Sequence, residues 1–167
     1  ITPIKRQELV VEALVHVAEP VKVVFAGEPD SPQYLEKLKK RAHELGVSDK
    51  IEWRGRVSEE EKFDLYANAL MVVFTPVDED YGYVTPEAML SSKAVLTLED
   101  AGGATEFVTH EKSGLVVQAD ARAMARAGID HHERPLLGIG RRVGWRQDAH
   151  EAIVDWPRKL QPGHDDL

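Results

Sequence analysis

The sequence contains no cysteine. Disulfide staples and thiolate chemistry are therefore excluded, and nothing marks the chain for an oxidising compartment. It lacks any apolar run approaching the ~20 residues that a membrane-spanning helix needs. No signal peptide is visible, which makes the cytoplasm the default expectation. Positive charge is also scarce: 21 Lys and Arg stand against 29 Asp and Glu, a formal charge of −8. A nucleic-acid partner, which needs a basic face to neutralise phosphates, is argued against by that balance. A single nucleotide is not, because it needs only a few local donors. The chain opens Ile1-Thr2-Pro3 without an initiator methionine and enters a helix pattern within a few residues. A piece of a longer protein is expected.

What is present alternates regularly. At 167 residues, with 43% hydrophobic and 30% charged content, the chain fits one globular domain with a substantial core. In residues 6–17, Leu9, Val10, Ala13, Leu14 and Val17 share one stripe, the pattern of an amphipathic helix with His16 at its edge. Pro20 ends it, and residues 21–27 predict a short strand closing on Gly27. A second helix is predicted over 31–45, with Ser31 as N-cap, Pro32 at the first position and Gly46 as a left-handed stop. A strand at 51–55 follows. Ser58-Glu59-Glu60-Glu61 then has capping-box spacing, and Phe63, Leu65, Tyr66 and Ala69 carry that helix onward. Strands at 70–74, 94–98 and 114–117 alternate with helices at 85–91 and 105–108. Tyr34, Trp53 and Phe63 are expected in or near the core.

Past Asp120 the pattern weakens. The expectations are a helix over 121–127 ended by Gly128, an irregular stretch over 131–144, a helix over 146–154 and a frayed end from 161. His131 and His132 are expected at the surface rather than on a metal.

Strands alternating with helices through short glycine-ended loops predict an α/β fold, a mostly parallel sheet with helices on both faces. In such sheets ligands collect outside the carboxyl ends of the strands. Gly27, Gly55, Gly82 and Gly102-Gly103 all lie just past predicted strand ends, so their loops should share one edge. The richest of these is Asp78-Glu79-Asp80-Tyr81-Gly82-Tyr83-Val84-Thr85-Pro86-Glu87, where two carboxylates stand eight positions apart across a glycine turn before a helix. The residues alone leave alternatives open. Glu79 belongs to an acidic cluster that suits a solvated loop, a metal or a sugar, and Glu87 suits the first turn of a helix in any case. Lys5 and Arg6 suit a solvated helix start. Gly102-Gly103 suits a plain turn or a ligand contact.

Order and spacing together resemble one family. Thr2-Pro3-Ile4-Lys5-Arg6, then residues 58–69, Glu79-Asp80-Tyr81-Gly82 with Glu87-Ala88-Met89, Gly102-Gly103 with Glu106-Phe107-Val108, and Ser113-Gly114-Leu115-Val116-Val117 resemble successive segments of the C-terminal half of group 1 (family 4) retaining glycosyltransferases. These enzymes have the GT-B fold, two Rossmann-like halves around a cleft. The resemblance covers about residues 2–125, and makes 1–167 a single nucleotide-sugar-binding domain with C-terminal helices over 126–167. The acceptor-binding N-terminal half lies outside this chain.

The resemblance implies roles for particular residues. Glu87 would accept hydrogen bonds from the ribose hydroxyls, and Glu79 would hold hydroxyls of the donor sugar. The backbone at Gly82, Tyr83, Val84 and Thr85 would meet the diphosphate at a helix start. Lys5 would add charge there and, with Glu79, belongs to the catalytic set. Arg56 and Val57 would edge the base pocket. The implied partners are a nucleoside-diphosphate sugar and the other half of the same protein, with no nucleic acid and no membrane span. Any peripheral membrane attachment would run through the missing half. No cofactor and no metal are implied. One departure concerns charge: the family's arginine five positions before the lysine matching Lys5 falls ahead of Ile1. The competing readings are a non-catalytic binding module of the same fold and a dehydrogenase. The dehydrogenase lacks its fingerprint, since Gly27 is followed by Glu28-Pro29 and no Gly-x-Gly-x-x-Gly appears there.

Overall fold

A computed structural model of the chain describes residues 1–133 and 151–154. The elements run α1 (Gln7–Ala13), β1 (Lys22–Ala26), α2 (Pro32–Glu44), β2 (Ile51–Gly55), α3 (Glu59–Asn68), β3 (Ala69–Val73), α4 (Val84–Leu90), β4 (Ala94–Leu98), α5 (Ala104–Phe107), β5 (Gly114–Val117), α6 (Ala121–Glu133) and β6 (Glu151–Val154). A short 3₁₀ turn, Pro3–Lys5, precedes α1. All paired strands are parallel, in the order β2-β1-β6-β3-β4-β5. The α/β, Rossmann-like expectation is met.

Local chemistry sets the helix ends. The Tyr34 amide donates to the Ser31 hydroxyl at 3.3 Å, and Pro32 opens α2, where a missing N–H does no harm. Gly46, at φ +68°, turns the chain out of α2. At α3 the capping box is complete: the Glu61 amide donates to Ser58 Oγ at 3.1 Å, and the Ser58 amide to Glu61 Oε2 at 2.7 Å.

The β1-to-β2 crossover moves across the sheet in one direction, whereas β2-to-β3, β3-to-β4 and β4-to-β5 move in the other. Right-handed crossovers therefore put α2 on one face and α3, α4 and α5 on the opposite face. Helix α1 packs with α2 and α6. Between the layers lie Val24, Phe25, Val72, Val95, Leu96 and Leu98, all 2% exposed or less. Burying each such side chain favours folding by roughly 1.5–3 kcal/mol. Trp53 stacks on Phe25 with ring centroids 4.5 Å apart, and Tyr34 is half-buried, as expected of near-core aromatics.

Five expectations are corrected. Residues 151–154, expected inside a helix, form β6, which pairs with both β1 and β3 in the middle of the sheet. A β-branched Ile-Val pair offered backbone partners on both sides makes a strand whatever its local preference. Helix α6 continues through Gly128 to Glu133 instead of stopping at 127. One interior glycine costs a helix only about 1 kcal/mol, and the packing of α6 on α1 outweighs that. His131, expected at the surface, is 3% exposed in the last turn of α6, and burial pushes its imidazole toward the neutral form. Phe63, expected in the core, is 51% exposed, while Lys62 beside it is 2% exposed. His16 is exposed rather than at a buried edge. The remaining expectations over 134–150 and beyond 154 lie outside the described residues.

Candidate functional site

All strands being parallel, the loops after β1, β2, β3, β4 and β5 leave the same edge of the sheet. Gly27 and Gly55 mark two of them and are joined directly, the Gly27 amide donating to the Gly55 carbonyl at 2.7 Å.

The N-terminal turn is stitched to the loop after β3. Thr75 Oγ1 donates to the Lys5 carbonyl at 2.8 Å, and the Val77 amide donates to the Ile4 carbonyl at 2.9 Å. Arg6, at φ 52°, spreads its guanidinium over the same loop. Its Nε donates to the Thr75 carbonyl at 2.9 Å, and its two terminal nitrogens donate to both Asp100 oxygens at 2.7 and 2.8 Å. That fork fixes geometry as well as charge. It holds the Asp100 carboxyl below the usual carboxylate range. Arg6 is therefore a clamp joining three segments, which corrects its reading as part of a solvated helix start. Held by this clamp, Lys5 lies 4.6 Å from the Phe74 ring centroid and its ammonium pairs with Glu79 Oε2. The Lys5 side chain is only 11% exposed and that of Glu79 27%.

Glu79 rests on the loop after β4. The Asp78 amide donates to the Asp100 carbonyl at 3.0 Å, the Glu79 amide to the Ala101 carbonyl at 3.2 Å, and the Gly103 amide to the Glu79 carbonyl at 2.6 Å. The approach is close: a Cβ on Gly102 would stand 2.6 Å from the Glu79 nitrogen, and one on Gly103 would stand 2.5 Å from the Asp80 carbonyl oxygen. Gly102 also sits at φ +67°. Gly102-Gly103 is thus the seat on which the acidic loop lies. Gly82, at φ +55°, has its own close neighbour, since a Cβ there would meet the Ala104 nitrogen at 3.1 Å. On either side of Gly82, Tyr81 and Tyr83 stack at 5.5 Å between centroids, 65% and 52% exposed.

The loop then enters α4. The Thr85 amide donates to the Gly82 carbonyl at 2.8 Å and the Glu87 amide to the Tyr83 carbonyl at 3.2 Å. The Thr85 amide is thereby used within the turn. Glu87 turns toward α3. Lys62 Nζ lies 3.3 Å from each of its carboxylate oxygens, and the Tyr66 hydroxyl donates to Oε2 at 3.3 Å. Each predicted carboxylate thus faces a lysine from another element: Glu79 faces Lys5, and Glu87 faces Lys62.

Of the remaining predicted residues, Arg56 is exposed and faces Glu28 of the neighbouring loop at 3.9 Å, while Val57 is buried just before α3. Val84 is buried at the start of α4. Lys62 and Tyr66 were not singled out as site residues, though a signal existed. The period 62, 65, 66, 69 puts Lys62 on the buried stripe of α3, where a lysine needs an anionic partner. A separate cavity of about 80 Å³, lined by Val10, Leu14, Val23, Met71 and Leu96 among others, is apolar and lies under α1 and α6. It has none of this chemistry. Among the described residues no group of three His, Asp or Glu side chains could hold a metal ion. Nor is any helix among them long and apolar enough to cross a membrane.

Comparisons with known proteins agree on one family. A family model described as glycosyl transferases group 1 matches residues 1–134. A GDP-mannose-dependent alpha-(1-6)-phosphatidylinositol monomannoside mannosyltransferase of Mycobacterium tuberculosis is 32% identical over 179 aligned positions, covering 95% of this chain and 45% of that protein. A D-inositol 3-phosphate glycosyltransferase of Streptomyces bingchenggensis is 30% identical, covering 89% of this chain and 37% of its own length. Among solved structures, Anabaena HepE in complex with UDP and glucose superposes with a TM-score of 0.74 at 25% identity, over 80% of this chain and 37% of that one. The chain spans less than half the length of these relatives.

Proposed function

The chain belongs to the glycosyl transferases group 1 family, an enzyme family, and from that premise we propose that it is the donor-binding, C-terminal half of a retaining, family 4 glycosyltransferase. Its ligand is a nucleoside-diphosphate sugar. One observation carries the reading: Glu79 in the loop after β3 and Glu87 in the first turn of α4 each stand against a lysine drawn from elsewhere. Relatives point the same way, since HepE was crystallised with UDP-glucose and the mycobacterial relative is GDP-mannose-dependent.

Under this reading, Glu87 receives the ribose hydroxyls and Glu79 the hydroxyls of the transferred sugar. Lys5, touching Glu79, supplies positive charge beside the diphosphate, and the backbone from Gly82 to Val84 faces the same group. Leaving-group charge develops on that diphosphate as the glycosidic bond breaks, so a fixed ammonium there stabilises the transition state more than the ground state. A metal is not required for that work when lysine and backbone dipoles supply it. Arg56 and Val57, one exposed and one buried, border the base. The sugar acceptor binds to the other half of the enzyme.

The test is calorimetric titration of the chain with UDP, GDP and ADP. Saturable binding of at least one, competed by the corresponding nucleotide sugar, is expected. Failure of all three to bind at millimolar concentration overturns the reading.

A further inference from the structure

We propose that Lys62 is the positioning residue for Glu87: it holds that carboxylate in the orientation that receives the ribose, so recognition of the ribose hydroxyls depends on it. The inference rests on the assignment of Glu87 made above and extends it to a residue on another helix.

Lys62 occupies a place where an apolar residue would pack without penalty. It lies on the buried stripe of α3 with Leu65 and Tyr66, and its side chain is 3% exposed. An ammonium withdrawn from water is costly unless opposite charge and hydrogen bonds replace the lost hydration. Those come from two sides. Glu59, three residues earlier on the same helix, meets Nζ at 2.9 Å, and Glu87, from α4, meets it at 3.3 Å through both oxygens. The Glu59 side chain is 56% exposed, that of Glu87 18%. The inner contact is therefore the one shielded from solvent, where charge pairing is strongest. Tyr66, one turn along α3, adds a hydroxyl to Glu87 Oε2 at 3.3 Å.

Helix α3 thus presents an ammonium and a phenol to one carboxylate whose own backbone is fixed by α4. Two contacts to one group remove its rotational freedom, so the ribose meets an acceptor already aimed. Lys62→Met keeps length and apolar stem but removes the charge, leaving Glu87 tied by Tyr66 to α3 without its cation.

The experiment compares UDP with 2′-deoxyUDP, and GDP with 2′-deoxyGDP, by calorimetry on the parent chain and on Lys62→Met, Lys62→Arg, Tyr66→Phe and Glu87→Ala, with a thermal melt of each. The parent should prefer the ribonucleotide by about tenfold, as expected for a lost hydrogen bond to a charged group. In Lys62→Met the preference should fall toward one, with UDP or GDP binding weakened and the deoxy form little changed. Lys62→Arg should restore most of it, and Tyr66→Phe should give an intermediate ratio. If Lys62→Met weakens both members of a pair equally and keeps their ratio, the lysine is only a packing residue and the proposal fails. Where Lys62→Met shows no cooperative melt, Tyr66→Phe and Lys62→Arg decide: an unchanged ratio in Tyr66→Phe sinks the proposal. Glu87→Ala separates the two readings. A ratio that survives Glu87→Ala refutes the ribose assignment itself. A ratio lost in Glu87→Ala but kept in Lys62→Met refutes Lys62 alone. No binding of any nucleotide by the parent overturns both.

Discussion

Arg6 spans more of the candidate site than any other side chain described above. Its guanidinium reaches the exit of β3 and the carboxylate of Asp100 at once, and the residue before it is Lys5. Lys5 needs no conformational search to find Glu79, because its backbone is already pinned on both sides. Arg6 also makes the site sensitive to acid. Its hydrogen bonds lower the folded-state pKa of Asp100, so the contribution is present above the ordinary carboxylate range and disappears as pH falls through the folded value. The Asp100 side chain is 54% exposed, so solvent screening limits the effect to about 1 kcal/mol or less. Asp100→Asn should therefore be less stable than the parent at pH 7 in urea denaturation, with the gap narrowing as pH falls below the ordinary carboxylate range and through the lowered folded-state value. A gap that persists unchanged in acid would mean that the ion pair contributes nothing. Lys5, Glu79 and Glu87 stood out in the sequence as candidates because their spacing resembles a known motif. Lys62 carried only the signal of a lysine on a buried stripe, because its partner is the residue of α4 that it meets.

At the scale of elements, the loops after β3 and β4 behave as one unit. Three backbone hydrogen bonds join them between Asp78 and Gly103, and the glycine pair lets the Glu79 backbone lie directly on it. A methyl group on Gly102 would collide with backbone, which cannot move aside as a side-chain tip can, and φ +67° adds strain. Gly102→Ala should destabilise the fold by about 1–3 kcal/mol and weaken binding of whichever nucleotide the parent takes. Denaturation at neutral pH checks the first part, and unchanged stability would show that the seat has slack. The sequence placed glycines after four strands and left this pair as either a turn or a ligand contact. Neither description includes its observed role, which depends on a loop some twenty residues earlier in the chain. Helix ends were more legible, since Ser31, the Ser58–Glu61 box and Gly46 act on neighbours within a few residues.

The described residues form a parallel sheet whose loops after β1 to β5 leave one edge. The donor side of the proposed reaction fits on that edge, whereas the relatives are more than twice as long as the region matched here. Binding and turnover should therefore separate. The chain by itself should bind a nucleoside diphosphate yet release none from UDP-glucose or GDP-mannose when simple sugar or inositol acceptors are added. Release of UDP or GDP at a rate above the uncatalysed background would show that the chain carries a complete active site, contrary to the proposal.

The sequence by itself determined the alternation of strands and helices, the helix caps, the glycine-ended loops and the positions of Lys5, Glu79 and Glu87. Each of these is encoded locally, by hydrophobic period, by capping chemistry or by fixed spacing. Tertiary structure decided what depends on partners distant in sequence. It set residues 151–154 as a strand between β1 and β3, because two open strand edges outweigh local propensity. It rotated α3 so that Lys62 faces inward and Phe63 outward, because Glu87 waits on the adjoining helix. A buried charge is explained by the groups that neutralise it, and here the more shielded of the two lies 25 residues further along the chain.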